Sequence, residues 1–209
     1  VHPFAHVEQI YESKKGQAPN AVAVYDLKQR ELIDGEVIRR GIDFMRRESK
    51  AGKPFFLYLP MTQTHYPVLP SPEFKGKTGN GDFADVLAQT DAYTGRLLDA
   101  IDQLGIADNT IFIFTSDNGP EMFLPNIGSS GPWRGTYFTG LEGSLRVPFI
   151  VRWPGKVPAG AVSDEIVHQM DVFPTLAGFT GAEVPKDRII DGVDQGEFLL
   201  GKSAKSGRE

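Results

Sequence analysis

The sequence predicts an α/β fold, a mainly parallel sheet flanked by helices, and three observations predict it. Phe55-Phe56-Leu57-Tyr58-Leu59 and Ile111-Phe112-Ile113-Phe114 are short, continuous runs of β-favouring apolar residues, the pattern of strands buried on both faces. Each run ends in polar residues: Thr62 to His65 after the first, Thr115 to Asn118 after the second. Between them, Phe83 to Leu104 carries the period of an amphipathic helix, so strand, helix and strand alternate as in an α/β unit. Ligands of open α/β sheets lie beyond the carboxyl ends of the strands, which directs attention to those two polar endings.

The elements follow in order. Residues 1–34 read as a connecting segment, in which Val22, Val24 and Leu27 hint at a short extended piece and His2 and His6 read as surface residues. Residues 35–202 form the body of the α/β domain. A helix is expected from Gly35 to Lys50, with Val37, Ile38, Ile42 and Met45 at helical spacing and Glu36 four residues before Arg40. Gly52 and Pro54 stop it. After the first strand, Pro67, Pro70 and Pro72 stiffen a loop, and Lys75 to Asp82 reads as exposed. In the second helix Phe83, Val86, Leu87, Leu97, Leu98, Ile101 and Leu104 share a face with Thr90 and Thr94, and Gly105 suits the left-handed position after its end. Pro120 to Gly143 is a long Gly-, Ser- and aromatic-rich loop, a length usually tied to function or disorder. Val147 to Val151 is a third apolar run, placed at an edge or strand start by Pro148. Ile166 and Val167 begin another short strand. Asp171 reads as the N-cap of a helix with Pro174 in its first turn, reaching Phe179. Ser203 to Glu209 reads as a disordered tail.

The chain has 209 residues, enough for one large domain or two small ones, and a formal net charge of −5, which offers no footing for nucleic acid or an anionic membrane. No run approaches the roughly 18 apolar residues of a membrane span. No leader pattern stands at the start, and the first residue is not Met, so the chain reads as a processed or excised piece. Without cysteine there are no disulfides, thiolate metal sites or Cys nucleophile within these residues, although this leaves the compartment open.

Asp117 and Asn118 are the candidate metal ligands. They serve one site only if the strand ends at Ser116, since neighbouring side chains of a regular strand point to opposite faces. A carboxylate beside an amide carbonyl offers hard oxygen ligands suited to Ca²⁺ or Mg²⁺. Gly119 lets the backbone bend sharply or approach a ligand closely. The plainer alternative is an Asx turn after a strand.

The order of motifs adds more than any one of them. Pro54 to Leu59, Thr64-His65-Tyr66-Pro67 and the long helix come first. Thr115-Ser116-Asp117-Asn118-Gly119, Trp133-Arg134-Gly135, Glu142 to Pro148 and Arg152-Trp153-Pro154-Gly155 follow, and then Asp171 to Thr175 and Asp191-Gly192-Val193. Over residues 36 to 200 this series resembles the C-terminal half of the sulfatase (arylsulfatase-type) family, within the alkaline-phosphatase-like superfamily. The resemblance implies an incomplete copy of that fold and a sulfuric ester hydrolase. A divalent cation, usually Ca²⁺ and less often Mg²⁺, holds the sulfate in such enzymes beside a formylglycine nucleophile. It implies Asp117 and Asn118 as metal ligands and His65 as the residue that contacts the sulfate or assists the leaving group. It puts Arg134 and Tyr137 in substrate-binding segments, and Arg146 in a loop-tying pair with Glu142. Trp133 and Trp153 read as packing, and His168 as structural. A small-molecule sulfate ester is the implied partner, and the implied compartment is periplasmic, secreted or lysosomal.

The chain departs from the family in three places. Where many sulfatases carry a sulfate-binding Lys, five residues before Glu142, stands Tyr137, which donates a hydrogen bond but brings no charge. The first pair of metal-binding Asp residues and the Cys/Ser-x-Pro-x-Arg sequence that becomes formylglycine are absent from their usual place. The isolated chain is therefore expected to be inactive and to need its missing N-terminal half or an oligomer partner. Ser130-Gly131-Pro132-Trp133-Arg134 fits Ser-x-Pro-x-Arg, but it follows the Asp-Asn-Gly turn, where the family has a different loop. Two other readings stand beside the first. One is a phosphatase or phosphodiesterase of the same superfamily, against which Asn118 speaks because those relatives carry a Zn²⁺-binding His there. The other is a non-catalytic, sulfatase-like binding module.

Overall fold

A buried polar stripe starts the first long helix earlier than its apolar residues indicate. In the computed structural model, which describes residues 8–123 and 126–208, α1 spans Leu27–Lys50. The Asp26 side chain caps it by accepting from the Gln29 N–H at 2.8 Å. Its inward face is Arg30, Asp34, Ile38, Gly41 and Met45. The first two are charged and therefore invisible to a search for apolar periodicity. The expected start at Gly35 thus moves to Leu27. Its outward face is laced by pairs of Arg39 and Arg40 with Glu36, and of Arg39 and Arg46 with Asp43. The Arg39 and then the Arg40 guanidinium hold the Glu36 carboxyl down to about 2.

The chain divides into two units, Val1–Leu104 with Pro120–Pro132, and Gly105–Gly119 with Trp133–Glu209. In the first, β1 (Glu8–Glu12) pairs antiparallel with β2 (Asn20–Tyr25), which places a hairpin where a connecting segment was expected. His2 and His6 lie outside the described residues. α2 spans Asp82–Gln103 and buries Val86, Gln89, Tyr93, Leu97 and Ile101, while Leu87 turns out to solvent. α1 and α2 meet where α1 lacks side chains: a Cβ on Gly35 would lie 3.0 Å from the Tyr93 hydroxyl, and one on Gly41 3.8 Å from a Leu97 methyl. Phe55 to Leu59 alternates between half-buried and exposed residues. Phe44 meets Phe55 edge-on at 5.6 Å, Leu57 and Leu59 reach Gly41, and Phe56 and Tyr58 are exposed. This expected strand joins no ladder among the described residues. β4 (Met122–Phe123) and β5 (Asn126–Ile127) form a short antiparallel pair.

In the second unit β3 (Phe112–Thr115) pairs with β6 (Phe149–Arg152), from Phe112 opposite Arg152 to Thr115 opposite Phe149. The pair is antiparallel, so the described ladders differ from the parallel pairing expected, while the α/β class holds. Pro148 directly precedes β6, as its missing N–H requires. Short α3 is Glu142–Leu145, α4 is Val172–Thr180 and α5 is Gly196–Leu199. Ile166 and Val167 form no strand. Asp171 stands at the N-cap position of α4 as expected, but its carboxylate makes no cap bond to that helix. It ends a single tight turn, Gln169–Asp171, which His168 caps through its ring, and α4 continues from there.

The tail corrects another expectation, for residues 203–208 are tied down rather than disordered. Lys205 and the Ser206 N–H bond Glu165, the Gly207 N–H bonds Gln195, and Arg208 forms a two-pronged pair with Asp171. Asp171 is wholly buried and also accepts from the Val193 and His168 N–H groups and from Gln195. Its charge explains the order of the tail, because a buried carboxylate needs a cation.

Candidate active site

The Asp-Asn turn is held by its backbone and leaves two oxygens open. After β3, Asn118 donates its backbone N–H to Asp117 Oδ1 at 3.0 Å, and its side-chain Nδ2 to the Gly119 carbonyl at 2.8 Å. That second bond fixes the amide and turns Asn118 Oδ1 away. Asn118 Oδ1 and Asp117 Oδ2 have no hydrogen-bond donor among the described residues. Gln169 Nε2 donates to the carbonyls of Ser116 and Asp117. On the other side the Gly119 N–H donates to the Ser144 carbonyl at 2.8 Å. A Cβ on Gly119 would strike the Gly143 carbonyl and lie 2.9 Å from Ser144 Cα. The close approach that Gly119 permits is therefore to α3 of its own unit.

Two hard oxygens fit Ca²⁺ or Mg²⁺ in kind, but such ions take six or more ligands. No group of three or more His, Cys, Asp or Glu suited to a metal occurs among the described residues. The turn therefore offers part of a coordination sphere.

The loop that carries Arg134 and Tyr137 is braced to the same turn. Gly143 N–H donates to the Arg134 carbonyl at 2.8 Å, and Gly143 and Ser144 are the residues against which Gly119 packs. Arg134 is exposed, and its guanidinium makes no hydrogen bond or ion pair among the described residues. Tyr137 is half-buried and lies on Phe138, ring centroids 4.1 Å apart. Arg146 pairs with Glu142, and its guanidinium stands 3.9 Å from the centre of the Trp133 ring, so both residues tie the loop.

His65 lies in the first unit, on a segment governed by two residues of α1 that apolar periodicity passed over. Asp34, 2% exposed, accepts from the Thr62 N–H and hydroxyl, both at 2.8 Å, and from the Gln63 N–H at 3.0 Å. Arg30 donates to the carbonyls of Thr62 and His65 at 2.7 Å and of Pro67 at 3.4 Å. The Gln63–Thr64 and Tyr66–Pro67 peptide bonds are cis. The His65 side chain is 71% exposed. Its Nδ1 is 2.5 Å from the Tyr66 carbonyl, and its Nε2 is 3.4 Å from Glu121 Oε1. Glu121 Oε2 accepts from the Tyr66 N–H at 3.2 Å. Arg30, Asp34 and Glu121 are thus positioning residues of this segment. The one signal for the first two was a pair of opposite charges, four residues apart, in phase with Ile38 and Met45. Ser130, of the Ser-x-Pro-x-Arg pattern, is half-buried in this unit.

The sequence and the fold have counterparts among known proteins. The family model described as Sulfatase matches residues 5–182. Dog N-acetylgalactosamine-6-sulfatase is 39% identical over 166 residues, which cover 78% of this chain and 32% of the relative. Bovine arylsulfatase A is 41% identical over 160 residues, covering 76% and 31%. A solved sulfatase from Pseudoalteromonas sp. superposes with a TM-score of 0.89 at 31% identity, over 95% of this chain and 40% of its own. The chain spans about a third of the length of these curated relatives.

Proposed function

The chain belongs to the sulfatase family, and on that premise we propose that the complete protein hydrolyses sulfate esters, with this chain supplying part of the machinery. The observation that carries the proposal is the turn after β3. The turn is locked by bonds among its own residues, by Gln169 on the Asp117 carbonyl and by the Ser144 carbonyl on the Gly119 N–H, and one oxygen each of Asp117 and Asn118 remains open. These two oxygens would hold a divalent cation, Ca²⁺ in preference to Mg²⁺, whose chemistry is to neutralise charge on a sulfate group. The formylglycine nucleophile is expected outside this chain.

The chain's own residues then have these roles. His65 is the proton donor for the leaving oxygen through Nε2, and the Tyr66 carbonyl fixes its ring at Nδ1. Arg134 brings the positive charge that Tyr137 lacks, and the Tyr137 hydroxyl adds a hydrogen-bond donor for a sulfate oxygen. Tyr137 in place of the family's Lys also supports a second reading, a sulfatase-like module that binds sulfate esters without turnover. Among the described residues no helix is long and apolar enough to cross a membrane.

The test is turnover of 4-nitrophenyl sulfate by the complete protein, with and without chelator. Activity restored by Ca²⁺ and abolished by Asp117→Ala and Asn118→Ala supports the proposal. A complete protein that binds Ca²⁺ and sulfate esters but hydrolyses none supports the second reading instead.

A further inference from the structure

Phe138 is strained and exposed at once, and the roles assigned above leave it unused. It is the third residue of the turn Thr136 to Thr139, where the Thr139 N–H bonds the Thr136 carbonyl at 3.0 Å. Its φ is 68, a conformation that this place in a turn usually gives to Gly or Asn and that is unfavourable for a bulky L-residue. The residue is 87% exposed. Glycine would relax the backbone, and a polar residue would suit the solvent, so neither the turn nor the packing calls for phenylalanine.

The loop around it is firmly held. Thr139 Oγ1 accepts from the Thr136 N–H at 3.2 Å and donates to the Thr136 carbonyl at 2.8 Å. A Cβ on Gly135 would lie 2.5 Å from Leu141 Cβ. Arg134 is bonded to Gly143, and Ser144 to Gly119. The strain is thus imposed by a braced loop that is joined to the Asp117–Asn118 turn, the setting in which backbone strain marks a functional contact. The Tyr137 ring, tilted 45° at 4.1 Å, backs the Phe138 ring from within the loop.

We propose that Phe138, supported by Tyr137, is a specificity-determining residue, a platform for the apolar face of a ring in the alcohol portion of the sulfate ester. The proposal rests on the reading of the Asp117–Asn118 turn as the end that holds the sulfate. The C–H face of a sugar and the face of an aryl group share this chemistry, and an acyclic ester has no face to lay on the platform.

The test is Phe138→Gly in the complete protein. Glycine adopts the positive φ without strain, so the variant folds with a melting temperature equal to or above that of the wild type. Calorimetric affinity and kcat/KM are measured for 4-nitrophenyl sulfate, methyl galactoside 6-sulfate and butyl sulfate. Affinity and kcat/KM for a ring-bearing ester fall about three- to tenfold, butyl sulfate is unchanged, and Phe138→Tyr restores the loss. A loss confined to the galactoside names a sugar, and one confined to the nitrophenyl ester names an aryl group. Equal effects on all three esters, or no ring-dependent difference in binding, overturn the proposal. If the wild type turns over none of them but the ring-dependent difference in binding persists, the hydrolase reading fails and the platform stands.

Discussion

Asp34 shows how a single buried carboxylate sets the path of a functional segment. It satisfies three donors at the start of the loop to His65 while Arg30, one turn earlier, satisfies three carbonyls of the same loop. Asp34→Ala strips the Thr62 and Gln63 N–H groups of their acceptor and is expected to lower stability by about 3 kcal/mol in urea denaturation. It should depress turnover while leaving Ca²⁺ affinity unchanged. Gly119→Ala has the opposite signature. Its Cβ meets the backbone of Gly143 and Ser144, which cannot yield as a side-chain end can. A loss of about 2 kcal/mol and weaker Ca²⁺ binding in titration are expected. Asp171 governs acid stability. Burial pushes its carboxyl up, but the Arg208 guanidinium and the N–H groups of Val193 and His168 outweigh burial and hold it below the usual carboxylate range. A depressed native value contributes stability that is present above the unfolded value near about 4 and lost as pH falls through the native one. Arg208→Ala removes the cation from a buried charge, which costs about 3–5 kcal/mol at neutral pH, and flattens the melting-temperature profile below about pH 4.

At the scale of elements, legibility followed chemistry. Helix α2 was readable because its buried stripe is largely apolar, and the left-handed Gly105 after it was readable for the same reason. Only the last two thirds of α1, from Gly35 on, was readable, because its first buried positions are Arg30 and Asp34. Asp26→Ala is expected to cost about 1 kcal/mol, as loss of a cap does, and to fray the first turns of α1 first in hydrogen exchange. The turn at Asp117 and Asn118 was legible as a strand ending, but its bracing by Gln169 and Ser144 was not, since nothing local links residues so distant in sequence. The loop before α2 is exposed as expected, but what holds it was illegible for a related reason. Asp85, 1% exposed, gathers the Gly76 N–H and the Thr78 N–H and hydroxyl. Asp85→Ala should release that loop and speed tryptic cleavage after Lys75 and Lys77, with fragment mass as the readout.

At the scale of the whole chain, the segment Phe55 to Leu59 is the open account. Phe56 is 75% and Tyr58 78% exposed, and no ladder among the described residues takes up the segment's backbone groups. Expressed alone, the chain is expected to self-associate, and the double change Phe56→Lys with Tyr58→Lys should raise the monomer fraction in sedimentation velocity. The tail carries a different consequence, one of timing. Arg208 lies 37 residues after the carboxylate it neutralises. A ribosome adding about 5–20 residues per second leaves Asp171 waiting roughly 2–7 s for its cation. Until then the carboxylate keeps its water, α4 cannot seat, and the second unit matures only after nearly all of this sequence has been synthesised.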